Sequence, residues 1–126
     1  MNLSLGKDKR LKSRKAIERL FTDGNQLKKF PLRAVYFSEP EEPFGVQIAV
    51  SVPKKLFKRS VDRNLLKRRM REAFRKNQNL LQTKSRIEIM FIYTSSEIQT
   101  YQAIEKAMVS LLADLNSLLN DNISGK

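Results

Sequence analysis

Lysine and arginine supply 25 of the 126 residues, aspartate and glutamate 13, so the chain carries a formal charge of +12 at neutral pH. Cysteine and histidine are absent, which excludes disulfides, thiolate or imidazole metal sites, a cysteine nucleophile and the commonest general base. A one-domain length, a 40% apolar fraction and no run of about 18 apolar residues indicate a small, highly charged globular domain without a transmembrane helix.

The N-terminal MNLSLGKDKRLKSRK lacks the apolar stretch of a secretory signal, so a cytoplasmic protein is expected. Residues 1–12 read as a flexible basic arm. A helix is predicted from Ser13, which can cap it, with Ile17, Leu20 and Phe21 on one face. Asp23-Gly24-Asn25 stops it. Pro31 punctuates the chain, and Leu32–Phe37 reads as a strand. SEPEEPFG at 38–45 is acidic and carries two prolines and a glycine, as a turn between antiparallel strands would. Val46–Val52 alternates: Val46, Ile48, Val50 and Val52 face one side, and Gln47, Ala49 and Ser51 the other. The second side is small or polar, suited to solvent or to a ligand.

Pro53 ends that strand and a basic loop follows. Ser60–Lys76 reads as a helix with Ser60 as its N-cap, stopped by Asn77-Gln78-Asn79. Ile87–Tyr93 is almost continuously apolar, as a strand buried on both faces would be. From Tyr101 to Leu119 apolar residues recur at spacings of three and four, giving a long amphipathic helix capped by Thr100. Residues 120–126 read as a frayed tail. The order is α-β-β-α-β-α, an α+β single domain over 1–126 with one small mixed sheet packed by helices.

Charge is concentrated between Val52 and Lys76, where eleven lysines and arginines oppose only Asp62 and Glu72. On a helix of 3.6 residues per turn, Leu66, Met70, Ala73 and Phe74 share a face that would seat on the sheet. Asn64, Lys67, Arg68, Arg71 and Arg75 share another, with Arg63 at the seam and Leu65 outside the apolar stripe. Such a stripe suits a phosphate backbone: its cations displace condensed counterions, and each guanidinium matches two phosphate oxygens. Lys54, Lys55, Lys58 and Arg59 extend the field ahead of the helix. A solvated helix face normally mixes signs at i, i+4, and a membrane-surface helix would need the apolar face that the core requires. Nucleic acid is therefore the expected partner. No membrane, small-molecule substrate, metal site or catalytic residue is expected of the protein itself.

The segment VSVPKKLFKRSVDRNLLKRRMREAF resembles the signature of bacterial ribonuclease P protein components. The shared features are Val50-Ser51-Val52, Lys54-Lys55, Ser60-Val61, Arg63-Asn64, Lys67-Arg68, and Arg71-Glu72 before Phe74. RLKSRKAIERLFTDG is similar to the first helix of that family. The chain departs from the family pattern at Leu65, where Arg is usual, and at Ile17, where Phe is common. The resemblance implies a left-handed βαβ crossover (a ribosomal S5 domain 2-like fold). It also implies a ribonucleoprotein endonuclease that removes the 5′ leader of precursor tRNA, with chemistry carried by the RNA subunit and Mg²⁺ held mainly by that RNA. Its implied partners are ribonuclease P RNA and precursor tRNA. The RNA-binding residues would be Lys54, Lys55, Lys58, Arg59, Arg63, Asn64, Lys67, Arg68, Arg71 and Arg75. A cleft between the first helix and the sheet would take the leader on Ile17, Phe21, Val35, Tyr36 and Ser51. The alternative is a ribosomal or general RNA-binding or chaperone protein with no catalytic partner.

Overall fold

The apolar run IEIMFIY becomes the most enclosed strand of the molecule, with every side chain from Ile87 to Tyr93 buried. A computed structural model describes residues 14–39, 45–82 and 86–124. Along these the chain forms α1 (Arg14–Asp23), β1 (Asn25–Lys29), β2 (Leu32–Glu39), β3 (Gly45–Ser51), α2 (Ser60–Asn77), a 3-10 turn (Gln78–Leu80), β4 (Arg86–Tyr93) and α3 (Tyr101–Ser124). The single sheet has the order β1-β2-β4-β3.

The strand β1 is absent from the sequence-based order. Its NQLKK carries one apolar residue, Leu27, and half-buries it against the core; an edge strand needs no stronger pattern. The acidic segment after β2 does not close a hairpin. β2 and β3 run in opposite directions but do not pair. β4 lies between them, antiparallel to β2 and parallel to β3. A buried central position for β4 follows from its doubly apolar faces. The β3–α2–β4 unit is thus a parallel crossover built on the basic helix.

Register sorts the sheet residues into two faces. One carries Leu32, Ala34, Tyr36, Ile48, Ile87, Ile89, Phe91 and Tyr93. It meets Leu66, Met70, Ala73 and Phe74 of α2, and Ile104, Met108, Leu111, Leu112 and Leu115 of α3. These are the α2 residues that helical spacing assigns to the core. At about 1.5–3 kcal/mol for each fully buried large side chain, this seat fixes which face of α2 stays outside. The other sheet face carries Arg33, Val35, Phe37 and Glu39 on β2, Gln47, Ala49 and Ser51 on β3, and Arg86, Glu88, Met90 and Ile92 on β4. Here α1 packs Leu20 and Ile17 against Val35, Met90 and Ile92.

Helix ends follow local chemistry. Thr100 caps α3, its Oγ1 accepting the Ala103 N–H at 3.1 Å. Ser60 does not cap α2: it is the first helical residue, and Arg59 occupies the cap position without a side-chain bond. The amide of Gly24 closes α1 on the Leu20 carbonyl at 3.0 Å. A Cβ at Gly24 would lie 2.3 Å from that carbonyl oxygen and 2.8 Å from the Tyr36 carbonyl oxygen, so only glycine fits where α1 turns into β1. The last helix runs to Ser124, through most of the segment expected to fray. The predicted cap Ser13 and the 1–12 arm lie outside the described residues.

Candidate nucleic-acid interface

The outer face of α2 keeps Asn64, Arg68 and Arg71 exposed and Lys67 half-buried. Lys54, Lys55, Lys58 and Arg59 are exposed in the loop ahead of it. That loop is folded back by short-range bonds: the amides of Leu56 and Phe57 both meet the Pro53 carbonyl, at 3.1 and 3.4 Å. Phe57 drops into the core against Tyr93, ring centroids 5.8 Å apart. The lysines on either side of Phe57 are therefore held outward by a buried anchor.

Arg63 at the seam and Arg75 on the stripe have structural partners. Arg63 Nη1 donates to the carbonyls of Phe57 and Lys58 at 2.8 and 2.9 Å, clamping the loop to the first turn of α2. Arg75 forms a two-pronged pair with Glu72. That hydrogen bond holds the Glu72 carboxyl below the usual carboxylate range and raises the Arg75 guanidinium. Arg69, off the stripe, donates to the Gln99 carbonyl and ties α2 to the start of α3. Along α2 and its preceding loop, the described cations without such a tie are Lys54, Lys55, Lys58, Lys67 and Arg68.

The second surface lies where α1 crosses the sheet. Arg19 donates to Glu88 at 2.8 Å and to Glu39 at 3.2 Å, and its guanidinium lies 4.7 Å from the Phe37 ring centroid. Arg86 reaches Gln47 at 3.0 Å and approaches both carboxylates. These contacts fix α1 over β2 and β4. On β3, the uncharged Gln47, Ala49 and Ser51 remain half-buried beside it. The result is a small, polar and apolar stretch of β3 beside α1, adjacent in sequence to the basic loop.

The structure sorts the five predicted groove residues. Ile17 and Ser51 lie half-buried on the α1 side of the sheet. Val35 is on that face but only 2% exposed under Leu20, so it forms the floor. Phe21 is 56% exposed. Tyr36 points through the opposite face into the α2–α3 core, and burial pushes its hydroxyl up from the ordinary value. Tyr36 is therefore a core residue. Period-two alternation along β2 places Val35 and Phe37, not Tyr36, toward α1. Arg33, which was not selected, lies on that face in one row with Ile92 and Ser51, and its Nε is buried without a partner. Its place as a cation within an apolar strand was the available signal.

The Ribonuclease P family model matches residues 5–116. A ribonuclease P protein component of Porphyromonas gingivalis strain W83 is 36% identical over 110 residues, covering 82% of this chain and 80% of the relative. That of Borreliella afzelii is 33% identical over 103 residues, covering 81% and 91%. Among solved structures, the Staphylococcus aureus RNase P protein aligns with a TM-score of 0.71 at 21% identity, over 90% of this chain and 100% of that one. The Thermotoga maritima protein aligns with a TM-score of 0.69 at 23% identity, over 83% and 96%. No helix among the described residues is long and apolar enough to cross a membrane. The signature carried by α2, the fold around it and the family match agree: the chain belongs to the ribonuclease P protein family, as the protein subunit of a tRNA-processing ribonucleoprotein endoribonuclease with an RNA subunit as partner.

Proposed function

We propose that this subunit grips the catalytic RNA with the outer face of α2 and its preceding loop, and receives the single-stranded 5′ leader of precursor tRNA in the groove between α1 and β3. The segregated cationic face of α2 carries the proposal. Its cations replace condensed counterions on two RNA molecules that would otherwise repel, which lowers the Mg²⁺ required for activity. Arg63 serves chiefly by holding the loop lysines in place, and Arg75, paired with Glu72, adds to the positive field of the helix rather than offering a free fork. Ile17, Ala49 and Ser51 offer a sequence-tolerant track for unstacked nucleotides, and Arg33 supplies a guanidinium to a leader phosphate.

In this reading the RNA subunit performs the hydrolysis with Mg²⁺, in the cytoplasm. The donor set of the described residues does not fit a resident ion. Among the described residues no cluster of three or more acidic side chains could hold one, and Glu39 and Glu88 already meet guanidiniums. The test is reconstitution at limiting Mg²⁺ with a bacterial ribonuclease P RNA and a labelled precursor tRNA. Leader removal is expected with both subunits and not with protein alone. Failure of the protein to enhance cleavage overturns the reading, and cleavage by protein alone moves the chemistry to the polypeptide.

A further inference from the structure

The turn between β1 and β2 projects Phe30, 71% exposed, beside the first half of α3. Between them lies an open cavity of about 350 Å³, lined by Lys29, Phe30, Gln99, Lys106, Ser110 and neighbouring small residues. It lies on the α3 side of β1, away from the α1 groove. Lys29 is partly committed to Asp114 at 3.2 Å, whereas Lys106 is exposed and has no ion pair among the described residues.

An exposed aromatic face among ammoniums and a hydroxyl is the chemistry that takes one unstacked nucleotide: the base stacks on the ring, and the phosphate meets the lysines. The cavity has the size of a small-ligand site. We infer that Phe30, Lys106 and Lys29 form a second RNA contact that captures an unpaired nucleotide of the RNA subunit. Continuity with α2 selects the RNA subunit as the occupant. Gln99 lines the cavity, and its carbonyl is held by Arg69 of α2, so RNA lying along α2 reaches the cavity around the start of α3. The inference rests on the reading that α2 engages that RNA.

The test uses full-length protein with ribonuclease P RNA. Phe30→Ala is expected to weaken binding about tenfold, the loss of one base–aromatic stack, while Phe30→Tyr stays near wild type. Lys106→Ala should lower the slope of log affinity against log salt by about one contact. A photoreactive phenylalanine analogue at position 30 should crosslink to a discrete site in the RNA subunit. Unchanged affinity with no crosslink overturns the inference, as does crosslinking to precursor tRNA alone. Arg68→Ala in parallel separates the two claims. If it weakens binding while Phe30→Ala does not, only the second contact fails; if neither does, the α2 reading fails as well.

Discussion

Arg19 and Glu88 lie 69 positions apart in sequence and 2.8 Å apart in space, joined by a hydrogen bond from the guanidinium to a carboxylate whose side chain is only 3% exposed. The bond raises the arginine further above its ordinary value, and it fixes α1 over the centre of the sheet. Arg19→Ala leaves that carboxylate with Arg86 at 3.7 Å as its remaining cation. Because Arg19 is itself partly exposed, a loss of about 2 kcal/mol is expected, less than for a fully buried pair. Urea denaturation checks this. Glu88→Gln, which removes the charge and keeps the shape, should cost less than Arg19→Ala.

Gly24→Ala should destabilise by about 2 kcal/mol or more, since its Cβ would press on the Leu20 and Tyr36 carbonyl oxygens. Both are backbone atoms that cannot rotate away, so α1 must shift against β2. Thermal unfolding measures the cost, and leader affinity should fall with it. Thr100→Ala removes the α3 cap at Ala103 and should cost about 1 kcal/mol without changing RNA affinity.

Within the RNA-binding segment, two arginines should behave differently. Arg68→Ala leaves the fold intact and should lower the salt slope of RNA binding by about one contact. Arg63→Ala frees the Phe57 and Lys58 carbonyls and should lower both thermal stability and affinity. Equal melting temperatures for the two variants would contradict the clamp.

With no histidine or cysteine, no side chain has an ordinary pKa between about 5 and 8, so stability should be flat there. Burial raises Tyr36, Tyr93 and Tyr101 above the ordinary value of 10.0. The unfolded chain then gives up these protons first as pH rises. Their contribution is whole below pH 10 and is lost as pH climbs through the folded values. On the acid side, Glu72 is lowered by its bond to Arg75; its small contribution is present above its unfolded pKa and fades as pH falls through the folded one. Urea midpoints across the range check both limbs.

The α2 seat, the burial of β4 on both faces and the α3 cap were legible because each rests on local spacing or a single side chain. The edge strand β1 was not, because NQLKK carries no alternation strong enough to stand out. Sheet order was also hidden. The 38–45 segment has turn chemistry, yet the pairing of β2 depends on β4, which enters much later in the chain. The groove was half legible. β3 announced a small, polar face, but α1 and β2 contribute to it by register, and a one-residue choice of face separates Val35 from Tyr36. Arg63 and Arg75 could be read as cations, but their carbonyl and carboxylate partners are set by the fold.

The most direct measurement compares the affinity of the reconstituted holoenzyme for precursor tRNA and for mature tRNA under conditions that prevent cleavage, with wild-type protein and with Ala49→Phe. Ala49 packs against the same α1-side cluster as Ile17, so in the proposed reading a large ring there fills the leader's path. The account predicts tighter binding of the precursor by wild type and loss of most of that difference in the variant, with affinity for the RNA subunit unchanged. Equal binding of the two tRNAs by wild type, or an undiminished difference in a folded Ala49→Phe protein, would contradict it.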